Sequence, residues 1–265
     1  MVAPPMTPDP RAGVIHVHSH YSHDGCDSLE RLREFARDWD LAFIGLSDHA
    51  EDFSAQRFHE YVAHCRDLSD ERVVLIPGLE FRFTGFTGLH LLALGLERWI
   101  APETPEAFVE QARPAAALTV LAHPVLARYR VPSPVMSGID AVEVWNAGYN
   151  TRYLPDPAAI RLLHAARQRR PEVVATVGLD QHDSSNYRRT RVIVPAGEAQ
   201  PLRALKEGRF INEGRTMSFG SDVAWGPLRV GALTMARWAF DHVERIHESV
   251  GRQRRARALR RVAEG

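Results

Sequence analysis

The chain has 265 residues, 45% apolar and 25% charged, enough to bury one large core. Lys plus Arg and Asp plus Glu both total 33, so the formal charge is zero and the overall balance gives no reason to expect a long nucleic-acid partner. The arginines at 167, 169, 170, 188, 189 and 191 are the local exception. Two cysteines, Cys26 and Cys65, make no disulfide framework and fit a reducing compartment. No signal-peptide core and no run long enough to cross a bilayer stand out, so the cytoplasm is the expected location, with no membrane partner.

Residues 1–11 read as a loose tail, 12–237 as one folded domain, and 238–265 as a basic helix and tail packed on the domain or extending it. In chain order, an apolar strand is predicted over 14–18. Ser28 caps a helix over 29–38, in which Leu29, Leu32, Phe35 and Ala36 share a face. The apolar run 41–46 ends at Ser47-Asp48-His49. A helix covers 55–68, and a strand over 73–76 runs into Pro77-Gly78-Leu79-Glu80. Another strand covers 89–94, and Pro105 opens a helix reaching about Arg113. The run 117–121 ends at His123-Pro124, and 139–144 ends at Trp145-Asn146. A helix follows over 157–169, then a strand over 173–177 ending at Gly178-Leu179-Asp180-Gln181-His182. A late strand covers 191–194, and a short helix over 201–207 closes at Gly208. Continuously apolar strands alternating with helices predict an α/β domain with a parallel sheet buried on both faces. Such folds gather their chemistry at the carboxyl ends of the strands.

The polar residues at those ends are metal ligands by type. In His16-Val17-His18-Ser19-His20-Tyr21-Ser22-His23-Asp24-Gly25, His16 and His18 are two apart on an extended strand and point to one face. Glu80 lies in apolar surroundings where a lone carboxylate is costly and a cation removes the cost. His90, His123 and the pair Asp180 and His182 repeat the pattern. Each is modest alone. Together they are hard to explain as surface decoration.

Taken in order, these motifs resemble the polymerase and histidinol phosphatase (PHP) superfamily of metal-dependent hydrolases. The resemblance runs over roughly 12–183. It departs from the usual pattern at His23, inserted between Ser22 and Asp24, and at Gln181. It implies a single-domain, distorted (β/α)7 barrel holding two or three divalent ions, with manganese, zinc and iron suiting mixed His and carboxylate ligands. His16, His18, Glu80 and Asp180 would hold the first ion. Glu80, His90 and His123 would hold the second, with Glu80 shared, and Asp24, His49 and His182 the third.

The implied function is hydrolysis of a small phosphomonoester or phosphodiester, a nucleotide among the options, by a bridging hydroxide activated on the metals. Glu80 and Asp180 organise the reacting centre in that reading, His20 or His23 is a candidate proton carrier, and Arg188 a candidate for charge stabilisation. Arg82, Trp145, Asn146, Tyr149 and Arg189 are the candidate substrate contacts, and Arg128, Arg130 and Arg152 further anion candidates. Three alternatives stand beside it: a PHP-type hydrolase of carbamate, amide or carboxylic ester bonds, a 5′-end exonuclease on short oligonucleotides, and a non-catalytic metal-stabilised interaction domain. Arginines pointing into the pocket favour phosphate. An apolar pocket lined by Trp145 and Tyr149 favours the carbonyl branch.

Overall fold

The computed structural model describes residues 11–149, 153–196, 198, 200–240 and 242. The chain divides into two compact units, Met1–Ala224 and Trp225–Gly265. In the first unit the strands are β1 (Arg11–Val17), β2 (Phe43–Leu46), β3 (Asp48–His49), β4 (Val74–Ile76), β5 (Gly78–Arg82) and β6 (His90–Leu94). After them come β7 (Leu118–Ala122), β8 (Ala141–Asn146), β9 (Val174–Gly178), β10 (Arg191–Val194), β11 (Ile211–Glu213) and β12 (Ser218–Gly220). The helices are α1 (Leu29–Asp38), α2 (Ala55–Leu68), α3 (Pro105–Ala112), α4 (Ser133–Gly138), α5 (Pro157–Arg167) and α6 (Pro201–Lys206). Local chemistry explains the helix starts. Ser28, Ser54 and Thr104 each accept a backbone N–H of the first turn, from Arg31, Arg57 and Ala107, and Asp156 does the same for Ala158. Pro105 and Pro157 sit in first turns, where a missing N–H costs nothing.

The strands form two six-stranded sheets, ordered β12-β11-β10-β1-β2-β4 and β3-β5-β6-β7-β8-β9. Pairing is parallel for β1–β2, β2–β4, β3–β5, β7–β8 and β8–β9. It is antiparallel for β5–β6 and β6–β7, and for β10 with its neighbours β1 and β11. Beside the expected parallel pairs, the sheets therefore contain antiparallel ones. Residues 83–89 between β5 and β6 are too few for a crossover helix, and Gly85 (φ 85°) and Gly88 (φ 73°) turn the chain straight back. The two sheets meet at two seams. Only Ser47 separates β2 from β3, and the Ser47 N–H donates to the Val17 carbonyl at 2.8 Å. At the other seam the Leu179 N–H donates to the Ile15 carbonyl at 3.2 Å and the His18 N–H to the Gln181 carbonyl at 2.8 Å. The result is a mixed α/β fold of distorted-barrel type, with buried Val14, Ile15, Ile44, Leu79, Leu92, Val120 and Val142 in its core.

In the second unit a helix covers 227–240, starting well before the expected Trp238, with Leu228, Met235 and Trp238 exposed. The rest of the expected basic tail, 241 and 243–265, lies outside the described residues, as does most of the expected N-terminal tail. Among the described residues no helix is long and apolar enough to cross a membrane.

Candidate metal centre

The predicted ligands come from six different places in the chain and converge on one mouth of the fold. His16 and His18 sit at the end of β1, His49 ends β3, and Glu80 lies in β5. His90 opens β6, which runs antiparallel to β5, so its first residue faces the same mouth. His123 follows β7, and Asp180 and His182 follow β9. Three clusters result: His16, His18, Glu80 and Asp180; Glu80, His90 and His123; and His18, Asp24, His49 and His182. Within each, one potential ligand atom per residue lies within 4.8 Å of the others. Glu80 belongs to two clusters and His18 to two, so the three form one continuous chain.

Residues two apart do converge here, although simple strand alternation is not the cause. His16 has φ 64° and sits at a register shift between Ile15 and Val17. Asp180 (φ 48°) and His123 (φ 21°) are also in left-handed backbone. Such conformations cost a non-glycine residue on the order of 1 kcal/mol or more, so three among the clustered residues are held by the surrounding fold to aim side chains inward.

The electrostatics suit cations. Burial opposes charge on Glu80, yet His123, His16 and His90 outweigh it and hold the carboxyl well below the usual carboxylate range. Burial likewise opposes Asp180, and His16 and His18 hold it well below. Burial lowers the pKa of His18 and of His49, favouring the neutral imidazole that a metal needs. His90 Nδ1 and His123 Nε2 lie 2.8 and 3.1 Å from Glu80 Oε1. His49 Nε2 and His182 Nε2 lie 3.1 and 3.2 Å from Asp24 Oδ2. Two buried nitrogens test whether a cation fits. His16 Nε2 has no hydrogen-bond partner among the described residues although it faces Asp180 Oδ1 at 3.3 Å and Glu80 Oε1 at 3.6 Å. His49 Nδ1 is equally unpartnered, 3.4 Å from Glu80 Oε2. Against burial, Glu143 and Asp180 hold the His16 pKa well above its usual value and Glu80 raises that of His123, so the carboxylates draw positive charge to this spot, which a proton or a divalent ion can supply.

Two braces were not singled out from the sequence. Glu143, in the middle of β8, is fully buried. Its oxygens accept from His16 Nδ1 at 2.7 Å, the His123 N–H at 2.7 Å and Asn146 Nδ2 at 2.9 Å. This is the carboxylate that orients a ligating histidine through its other nitrogen. The signal was a lone acid in the apolar strand Ala141-Val142-Glu143-Val144-Trp145. Asp48, also fully buried, accepts from the Ser19 N–H at 2.7 Å and from the Ser19 and Ser22 hydroxyls, both at 2.9 Å. It fastens the loop carrying His18 and Asp24, and burial pushes its pKa up to about 6.

The other candidates separate. Arg188 lines a cavity of about 300 Å³ with Asp180 and His182, and donates to the Ala147 carbonyl. Tyr149 is 44% exposed, with its ring edge-on to His123 at 4.9 Å, beside the ligand clusters. Arg82 ends β5 and pairs with Glu51. His20 is exposed with its ring against Tyr21 at 4.7 Å and belongs to none of the three clusters. His23 is tied to Asp52 at 2.8 Å. Three expected substrate contacts lie elsewhere than at the mouth. Trp145 is fully buried against Gly214, because the register shift between Glu143 and Trp145 breaks the alternation that would carry it to the mouth. Asn146, also buried, braces Glu143 and accepts from the Gly148 N–H at 2.7 Å. Arg189 (φ 56°) turns onto Trp39, 5.0 Å from its ring, in a different cavity. Arg128 and Arg130 line a separate cavity beside Phe86, and Arg152 lies outside the described residues.

A fold that collects histidines and carboxylates into linked ion-sized clusters at its strand ends defines a metal-dependent hydrolase centre. The PHP domain model matches residues 15–189, well over half of the chain, and the chain belongs to the PHP domain family. Among curated proteins no sequence matches it. Two solved structures are similar. One is a protein assigned as a metal-dependent phosphoesterase from Bifidobacterium adolescentis, 17% identical, with TM-score 0.45 over 72% of this chain and 92% of that one. The other is an amidohydrolase from Chromobacterium violaceum with bound sulfate and no metal, 14% identical, with TM-score 0.48 over 75% of this chain and 97% of that one. The family assignment rests on the domain match.

Proposed function

We propose that this metal-dependent hydrolase is a phosphoesterase acting on a small phosphomonoester or phosphodiester. The observation that carries the reading is Arg188, whose cavity contains Asp180 and His182 of the ligand clusters, while Trp145, the apolar wall that would favour a carbonyl substrate, is buried away from it. A guanidinium beside the ligands suits the phosphoryl oxygens and the charge that grows on them. His16, His18, Glu80 and Asp180 would hold one ion, Glu80, His90 and His123 a second, and Asp24, His49 and His182, joined by His18, a third. Bound there, divalent ions supply Lewis acidity and an activated water. Glu80 spaces neighbouring sites, Glu143 fixes the tautomer of His16, and Tyr149 closes one side of the mouth. No side-chain nucleophile is required. Manganese, zinc and iron remain the expected metals, because the donors are imidazole and carboxylate.

The test is a hydrolysis screen of full-length protein reloaded separately with manganese and zinc, offered phosphomonoesters, phosphodiesters, nucleotides and an aryl carbamate. Turnover of a phosphate ester is expected. Turnover of the carbamate alone would reverse the assignment.

A further inference from the structure

The helix over 227–240 is apolar on two sides. One side carries Leu233, which is buried, with Val230 and Phe240 half-buried. The other carries Leu228, 91% exposed, Met235, 65%, and Trp238, 57%. A helix with water on one side keeps that side polar, and one that is apolar all round is covered all round. At 3.6 residues per turn, Leu228, Met235 and His242 (also helical) stand in one row. Trp238 and Gly231 flank the row on one side, Ala232 and Ala239 on the other, and all are exposed. A Cβ added at Gly231 would meet nothing within 4 Å. The Trp238 ring stacks on that of His242 at 5.2 Å. The two arginines of the helix, Arg229 and Arg237, lie off this face, which holds no carboxylate, lysine or arginine.

Large and small residues are spaced along the face so that it complements itself. Laid antiparallel on a second copy, about a two-fold axis near Met235, each Trp238 meets Gly231 and Ala232 of the other copy. Each Leu228 then meets the other copy's His242, and Met235 meets its own equivalent. An isologous contact of this kind closes after two copies. Charge selects the direction. Between 252 and 261 the sequence carries six arginines and no acid. A parallel pair would start two such runs side by side, and an antiparallel pair starts them at opposite ends. The same arginines make that stretch a poor cover for an uncharged face.

We propose that this face is a homodimer contact, occupied by the same helix of a second copy in antiparallel orientation. The helix is about 21 Å long and about 10 Å across, so the pair buries less than about 1,200 Å² in total and forms a weak dimer with Kd of about 10–100 μM.

Sedimentation equilibrium of the full-length protein, from well below to well above that range, tests the contact. A reversible monomer–dimer equilibrium is expected, weakened about tenfold or more by Met235→Arg, which sets like charges against each other at the axis. The thermal unfolding midpoint of that variant is expected to match wild type, because the side chain is exposed. Cysteine pairing reads the direction, in a Cys26→Ser background that removes the exposed native thiol. Met235→Cys is expected to form an intermolecular disulfide under mild oxidation and Leu228→Cys is not, because only residues near the axis bring their Cα atoms within about 7 Å. A monomer at every concentration overturns the proposal, and binding of that monomer to anionic phospholipid vesicles would make a lipid surface the occupant instead. A dimer indifferent to Met235→Arg, or one cross-linked through Leu228→Cys, overturns it equally.

Discussion

Replacing Glu143 with glutamine tests the brace behind the ligand clusters. All three of its partners act as donors: His16 Nδ1 at 2.7 Å, the His123 N–H at 2.7 Å and Asn146 Nδ2 at 2.9 Å. A carboxylate accepts from all three and so keeps the proton of His16 on Nδ1, turning the Nε2 lone pair toward Asp180 and Glu80. Glutamine has the same outline but only one accepting oxygen, so its NH2 must face a donor or force His16 into the other tautomer. A buried unmatched donor costs about 1–3 kcal/mol of stability. Loss of such an outer partner typically weakens metal binding about 10–100-fold, equivalent to roughly 1.4–2.7 kcal/mol. Competition of the full-length protein with a chromophoric chelator for zinc reads the affinity, and thermal unfolding reads the stability. Glu143→Gln is expected to lower both. Zinc affinity equal to wild type would refute the bracing role.

Glu80→Ala removes the carboxylate common to two clusters and is expected to cut manganese-supported turnover about 100-fold or more, so retained turnover would remove the shared ligand from the account. Chelator treatment is expected to lower the melting temperature by about 5–10 °C relative to protein held at a hundredfold excess of metal over its dissociation constant, since such binding contributes about 2.7 kcal/mol. An unchanged melting curve would contradict binding by the native state. Asp48 supplies a pH test. Its folded carboxyl titrates at about 6, above the usual carboxylate range, because of burial. The folded state then holds the proton more tightly than the unfolded one, and this group's contribution to stability falls as pH rises from about 4 to about 6 and is level above that. The stability difference between wild type and Asp48→Asn, from urea unfolding of chelated protein, should shrink by about 3 kcal/mol over that window. A pH-independent difference would be the contrary result.

The sequence pattern located the elements well where capping and periodicity act locally. The helices predicted over 29–38 and 55–68 are α1 and α2 to the residue, both started by a capping serine. All nine expected ligands fall in the three clusters: most close an apolar run whose strand carries them to the mouth of the fold, and His90 reaches it by opening an antiparallel strand. Less legible was whatever depends on tertiary constraint. The left-handed backbone of His16, His123 and Asp180 is imposed by neighbouring strands and has no glycine to announce it. The register shift in β8, with Trp145 in the core and Glu143 bracing His16, is not announced by the sequence pattern. Arg188 and Arg189 are adjacent in sequence yet line different cavities, which a positive φ at Arg189 decides and composition cannot.

The most direct test is anomalous diffraction from crystals of the full-length protein loaded with manganese. Two or three peaks are predicted, one beside His90 and His123 and one beside His16, His18 and Asp180, with Glu80 engaged by both. A fully loaded crystal with a single isolated ion, or with Glu80 bound to none, would contradict the account.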